Sequence, residues 1–377
     1  MFHDKREVKL TQFKPARAKK KIVAEEMDKV RHHSTEQKID GERYLVQTHR
    51  PTNDGGYLHG VTSRRESVVT GRFVEKTDRV PHITQMDGLP SLSMFDCEFV
   101  SSGDIKLVEL PGLFWDKLDS YFHPHMEWLR TKFDGAIPVY PHVGNTVSIM
   151  GSDGPLAVKK QAERGFIWGY AFDILQYEGK SLLANAQSKR RAFLAKQLEP
   201  IHPENGLVLM PAWNSLTLSE KEELFSLLTD PEIGGEGLIF KDPTLPYNHA
   251  RAWWKLKKEY PCDVVLTGEF DWGKEGKTGK MVGKVGTLEI GVYHNDDILP
   301  IGWISAIMDS EAKLQSLTDQ ALSGEIVGRP LECRHNGLQA KPGEPLGYTL
   351  RHPRFRRWRD DKNSEDCTWT ALQEEVK

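Results

Sequence analysis

The sequence predicts an α+β protein of two domains, the second of them a small β-barrel. Three observations carry this reading. A length of 377 residues suits about two domains of ordinary size. Residues 1–258 mix alternating strand patterns with helical ones. From residue 259 the character changes to short strands joined by Gly-rich or Asn-Asp turns: Val264 to Thr267, Met281 to Val292 and Ile298 to Ile307. Residues 259–377 therefore read as a barrel of the oligonucleotide-binding type.

Composition limits the function classes. At 38% hydrophobic and 28% charged, the chain has the make-up of a soluble globular protein. A net charge of −3 means that a polyanion must be met by local basic patches, not by a global field. No apolar run approaches the ~18 residues of a membrane span. The charged start, Met1 to Arg6, lacks the apolar core of a signal peptide. Cys97, Cys262, Cys333 and Cys367 are too far apart for a zinc or disulfide framework. The expectation is a soluble, cytoplasmic protein in a reducing compartment.

In chain order, Lys14, Arg17, Lys19, Lys20 and Lys21 come first, around Pro15. They form either a solvated face or a set of phosphate-backbone contacts. Ile22 to Val30 reads as helix. His32 and His33 are no metal motif, because adjacent residues face apart. The stretch Glu36 to Arg43 then places Lys38, a candidate covalent nucleophile, two residues before the Asp40 carboxylate. Gly41 permits a sharp turn or a close backbone approach, and Arg43 is a fixed cation for ribose or phosphate. Tyr44 to Gln47 continues as a strand.

A strand pair is predicted over 57–75, carrying Ser63, Arg64 and Arg65. Adjacent arginines on a strand point to opposite faces, so at most one should reach a shared site. Met94 to Val100 alternates and puts Asp96 and Glu98 on one face. They suit either a plain edge strand or the oxygen ligands of Mg²⁺. Residues 104–165 offer no chemistry and read as an insertion. His123, His125 and Glu127 lack the spacing of a zinc helix.

Gly169 to Leu175 is an apolar strand whose Phe172 is a core residue or a stacking face for a base. Lys189 to Leu194 opens an amphipathic helix. Glu236 and Lys241 bound another short strand. Lys255 and Lys257 share a face of the next, where two lysines repel unless an anion lies between them. Gly276-Lys277-Thr278 imitates the end of a P-loop, but the earlier glycine is replaced by Asp271, so the motif is rejected. Leu350 to Lys362 is the densest basic cluster, and Asn363 to Lys377 ends in a short helix.

Taken in order, these pieces resemble the ATP-dependent DNA ligases of the compact bacteriophage kind, within the covalent nucleotidyltransferases. The K-x-D-G-x-R motif is matched by Lys38 to Arg43, S-R by Ser63-Arg64, and the D-G-E strand by Asp96-Cys97-Glu98. The aromatic motif falls at Tyr170 to Ile174, E-G-x-x-x-K at Glu236 to Lys241, W-x-K-x-K at Trp253 to Lys257, and R-x-D-K at Arg359 to Lys362. The R-x-P-R-F run is similar at Arg351 to Phe355. Cys97 stands where the family usually has glycine, which leaves the local backbone open.

The resemblance implies a nucleotidyltransferase (adenylation) domain of antiparallel sheets and helices over 1–258 and an OB-fold domain over 259–377. It implies that Lys38 attacks the α-phosphate of ATP, giving lysine-AMP and pyrophosphate. A free lysine has a pKa near ~10.4, and the cations Lys255, Lys257, Arg43 and Mg²⁺ would favour its neutral amine. Glu98 and Glu236 would hold metal or ribose, Phe172 would stack on adenine, and Glu36 would accept from its amino group. Lys241, Lys255 and Lys257 would contact phosphates, while Arg359 and Lys362 would orient pyrophosphate. Asp40 and Arg64 belong to the later steps at the DNA end. The expected partner is nicked duplex DNA, bound in a salt-sensitive way by a monomer through Lys19, Lys20 and the barrel. RNA ligases and capping enzymes share the lysine chemistry and are the alternative.

Overall fold

The alternation of Met94 to Val100 becomes one of the middle strands of a large sheet. The computed structural model describes residues 20–22, 24–48, 59–67, 69–119, 123–273, 282–306 and 310–375. Lys14, Arg17, Lys19 and Gly276 to Thr278 lie outside the described residues. The chain divides into two compact units, 1–257 and 258–377.

The first unit contains two sheets. One runs in the order Lys20–Lys21, Trp253–Lys257, Gly237–Lys241, Ser34–Gln37, Ala212–Trp213. The other runs Lys180–Ser181, Ile167–Tyr177, Met94–Ser101, Glu42–Gln47, Gly60–Glu66, Phe73–Glu75, with Leu207–Leu209 added beside Ile167–Tyr177. Except for the pairings of Lys20–Lys21 and Leu207–Leu209, neighbours in both sheets are antiparallel. The shared core includes Leu45, Val46, Phe95, Phe99, Ile174 and Phe240, all fully buried, each worth roughly 1.5–3 kcal/mol on burial. The segment predicted as helix from Ile22 is a 3-10 helix over Ala24–Val30. Its end is fixed by Lys221, which is fully buried and donates to the carbonyls of Val30 (2.7 Å), Arg31 (3.0 Å) and His33 (3.0 Å).

Helix Gln187–Leu198 buries the two arginines at its start. Arg190 forms a fork with Asp173 (2.8 and 3.0 Å), and Arg191 does so with Asp119 (2.7 and 2.9 Å). Burying a charge is tolerable only with such a partner. Residues 104–165 supply the hairpin of Lys106–Glu109 with Ala136–Val139 and four short helices. His125 is a core residue there: its ring donates to the Ile201 carbonyl and accepts the Leu209 N–H. No helix among the described residues is long and apolar enough to cross a membrane.

In the second unit five strands form an antiparallel sheet: Tyr260–Trp272, Val285–His294, Asp297–Ser305, Pro330–His335 and Arg354–Trp358. Their spatial order is third, second, first, fourth, fifth. Helix Glu311–Ser323, capped by Ser310, lies between the third and fourth strands in sequence and buries Leu314 and Leu317 in the core of this unit. A barrel was expected, yet no hydrogen-bonded ladder among the described residues joins the two edges. The hairpin of Leu338–Ala340 with Tyr348–Leu350 lies along the third strand instead, where Thr349 donates to the Ile301 carbonyl (3.0 Å). All four cysteines are buried; Cys262 and Cys333 oppose each other on paired strands with sulfurs 3.2 Å apart.

Candidate active site

Lys38 stands on the link between the two sheets of the first unit. Strand Ser34–Gln37 belongs to one sheet and Glu42–Gln47 to the other, leaving four residues to pass between them. The Lys38 N–H donates to the Gly237 carbonyl (2.8 Å), which ties the link to the neighbouring strand. Gly41 is needed for packing: a Cβ there would lie 2.4 Å from the Phe99 carbonyl oxygen and 2.9 Å from Val100 Cγ1. The residue type was legible as permissive; the approach that demands it is to backbone.

A cleft of about 360 Å³ opens at this link, a size suited to a small ligand. Glu36, Lys38, Arg43, Arg64, Glu98, Phe172, Lys241, Lys255 and Lys257, from seven strands and one link, all line it. Arg65 lines it too, which corrects the expectation that only one of the adjacent arginines could reach a shared site. The pairing of Gly60–Glu66 with Phe73–Glu75 slips register between Thr62 and Glu66, so strict alternation fails there.

At one side of the cleft the charges are buried in pairs. Lys241 is 1% exposed and donates to Glu36 (2.7 Å) and to the Phe172 carbonyl (2.9 Å). Arg43 binds Asp96 through Nε (2.7 Å) and Nη2 (2.5 Å) and also reaches the Tyr247 hydroxyl (3.0 Å). Its guanidinium lies 5.0 Å from the Phe172 ring centre and 5.2 Å from that of Trp253, within cation–π range. Asp96, one of the two carboxylates placed on a common strand face, is therefore consumed by Arg43 and Tyr247 and is fully buried. Phe172 and Trp253 meet edge to face at 5.8 Å.

At the other side Glu236 bridges two lysines, ion-pairing with both Lys38 and Lys257. Of the two lysines expected to share an anion, Lys255 and Lys257, Glu236 thus meets Lys257. Burial pushes the Glu236 carboxyl up, but Lys38 and Lys257 outweigh it and hold the group below the usual range. Burial likewise lowers Lys257, against the pull of Glu236. Glu98 behaves oppositely: burial raises it to about 7, Glu236 and Asp96 add to the rise, and Lys38 and Arg43 only partly oppose it. Glu36 is raised chiefly by burial, with Lys241 opposing.

Of the two carboxylates expected to hold metal, Glu98 lines the cleft, whereas Glu236 is engaged by Lys38 and Lys257. Among the described residues no group of three or more acidic, His or Cys side chains forms a metal cage. Two carboxylates alone suit Mg²⁺ only where water and other oxygens complete its shell. Asp40 is half-buried, and its charge acts on Lys257. Arg359 and Lys362 belong to the second unit, where both converge on Asp263 (2.8 Å each). Lys20 lies in a two-residue strand beside Trp254, and Lys19 lies outside the described residues. Sequence reasoning missed Tyr247 and the role of Trp253 as an aromatic wall. Tyr247 sits in an irregular stretch with no periodicity to announce it, whereas Trp253 was signalled by its strand.

A model of the ATP dependent DNA ligase domain matches residues 15–257. DNA ligase 2 of Korarchaeum cryptofilum is 30% identical over 53% of this chain and 38% of its own length. A probable DNA ligase of Streptomyces coelicolor is 26% identical over 92% of this chain and 59% of its own. The chain thus spans about half the length of these relatives. Two solved structures share the fold: Pmar-Lig_Pre., with a TM-score of 0.56 and 15% identity over 87% of this chain and 63% of that one, and a structure of a Lig E DNA ligase, with a TM-score of 0.50 and 16% identity over 88% and 93%.

Proposed function

The chain belongs to the family of the ATP-dependent DNA ligase domain, and we propose on that basis that it seals nicks in duplex DNA at the expense of ATP. The observation that carries the proposal is the placement of Lys38 on the link between two sheets, inside one cleft with an aromatic wall on one side and lysines on the other. In this reading the adenine lies against Phe172 and Trp253, near Glu36 and Lys241. Arg43, held by Asp96, faces the ribose, and the phosphates extend toward Lys255 and Lys257.

The first step joins Lys38 to the α-phosphate of ATP and expels pyrophosphate. The amine must give up its proton and its ion pair with Glu236 before it can attack. Bound Mg²⁺, held by Glu98 and Glu236, would supply charge neutralisation for the phosphates. In-line displacement at phosphorus leaves positioning and electrostatics as the protein's main contribution. The AMP then passes to the 5′-phosphate of a nick, and the adjacent 3′-hydroxyl displaces it, with Asp40 and Arg64 acting at the DNA end.

We assign the second unit as an OB-fold barrel that closes over ATP and brings Arg359 and Lys362 to the pyrophosphate. Its five antiparallel strands, with a helix inserted between the third and fourth, support this reading. Lys19 and Lys20 are assigned to the DNA backbone.

The test is incubation of wild type and Lys38→Ala with labelled ATP and Mg²⁺, followed by DNA and RNA-containing nicks. Wild type is expected to take a covalent AMP label and to seal DNA, and the variant to do neither. Sealing confined to RNA strands would move the assignment to RNA ligase. A wild type that takes no label would overturn the enzyme reading.

A further inference from the structure

Tyr247 stands behind the aromatic wall of the cleft, 1% exposed, in the stretch between strands Gly237–Lys241 and Trp253–Lys257. Its hydroxyl donates to Asp96 Oδ2 (2.5 Å) and accepts from Arg43 Nη2 (3.0 Å). Asp96 also accepts from Nε and Nη2 of Arg43, so phenol, carboxylate and guanidinium close a triangle of hydrogen bonds. Burial raises the Tyr247 hydroxyl well above its ordinary range, and Asp96 adds to the rise while Arg43 opposes it. The proton therefore stays on the phenol oxygen, and the group remains a donor to Asp96. A fully buried carboxylate is tolerated only with such partners.

The tyrosine is itself held by elements outside the cleft. Its N–H donates to the Leu183 carbonyl (3.0 Å). The Arg190 guanidinium, forked to Asp173, lies 5.4 Å from its ring centre. The ring meets Trp253 edge to face at 5.2 Å. Arg43, by contrast, lines the cleft. Its Nε and Nη2 are taken up by Asp96 and Tyr247, and its Nη1 has no hydrogen-bond partner among the described residues. One corner of the guanidinium is thus left for a ligand, and the other two decide where it points.

We propose that Tyr247 is a positioning residue for ATP: its hydroxyl sets the plane of the Arg43 guanidinium, and through it the seat of the ribose. The inference rests on the ligase reading above, in which Arg43 faces the ribose. Tyr247 touches no substrate in this role. The Asp96 carboxylate by itself accepts two Arg43 hydrogens but lets the guanidinium tilt about that fork. The further contact, from a ring packed on Trp253 and Arg190, removes the tilt. An arginine already ordered loses less side-chain freedom when its ligand arrives. Because the ribose is remote from the reacting phosphorus, the gain is equal before and at the transition state. It therefore acts on the affinity for ATP and leaves the maximum rate alone.

The experiment uses the full chain as wild type, Tyr247→Phe, Arg43→Lys and the double variant. Single-turnover lysine-AMP formation is followed over a range of labelled ATP concentrations with Mg²⁺, well below the melting temperature of each protein. Tyr247→Phe keeps the ring and removes the hydroxyl. Loss of a hydrogen bond to a charged pair predicts a half-saturating ATP concentration raised roughly tenfold to a hundredfold, with the maximum rate within about twofold of wild type. In the Arg43→Lys background the fork is gone, so the same change should raise half-saturation by less than about twofold more. Half-saturation unchanged in Tyr247→Phe overturns the inference, whatever the loss of rate or melting temperature. An equal effect in both backgrounds also overturns it, by giving the hydroxyl a structural role independent of Arg43. Absence of lysine-AMP in the wild type itself would instead overturn the ligase reading on which the inference stands.

Discussion

Glu98 faces the cleft on one side and is crowded by protein on the others, and burial raises its carboxyl from the ordinary 4.5 to about 7. A raised carboxyl means that the folded chain holds a proton that the unfolded chain releases. Between pH 4.5 and 7, stability therefore falls as pH rises, and above 7 the full cost is present. That cost is at most about 3 kcal/mol, because the cleft side remains wet. Glu98→Gln is expected to melt above wild type at pH 8 and close to it at pH 5, measured by thermal denaturation without ATP or Mg²⁺. Equal melting temperatures at pH 8 would show that the carboxylate is solvated well enough to ionise freely. The chemistry of this residue was legible in the sequence, since Asp96 and Glu98 alternate on one strand face. Their division of labour was not, because Asp96 is claimed by Tyr247, far away in sequence and in no regular element. Lys38 and Glu236 show the same limit: both types stood out in their motifs, but only the fold brings them together across nearly two hundred residues.

Local geometry at the level of the strand explains what residue types could not. Gly41 suggested freedom of the chain, yet its need is a close approach to the Phe99 carbonyl. Gly41→Ala is expected to cost about 1–3 kcal/mol through overpacking and to lower the yield of lysine-AMP, since the link carrying Lys38 must move. Chemical denaturation with a covalent-labelling assay checks both; an unchanged midpoint would mean that the Met94–Ser101 strand yields easily. The alternation rule failed at Ser63 to Arg65 because a register slip has no mark in composition. Lys221 was equally silent: one lysine in a helix gives no hint that it closes three carbonyls on the approach to the Lys38 strand. Lys221→Met keeps the length and removes the donors. It should cost at least about 2 kcal/mol, read as a lower midpoint in urea, because buried acceptors are left unmatched.

Among the described residues there are two cores. One is built from residues between Ile22 and Leu256, the other from residues between Cys262 and Leu372. The cleft around Lys38 draws only on the first. A fragment of residues 1–257 is therefore expected to fold by itself, with a cooperative melt and native circular dichroism. A fragment that stays unfolded would reveal dependence on the second unit. The α+β character was readable because strand alternation and helical spacing are local properties. Whether the edges of the second unit's sheet are joined by a ladder was not, since closure depends on which edges meet and not on strand composition. The four thiols have a practical consequence. All are buried, and burial raises Cys97 and Cys367, the latter to about 11, while the facing Cys333 raises Cys262. Thiolate is the reactive form, so maleimide dyes should leave the native chain unmodified. A single cysteine introduced on the surface would then be the sole attachment point for a fluorophore. The fluorescence anisotropy of that one dye could follow the motion of the chain with the native cysteines left in place.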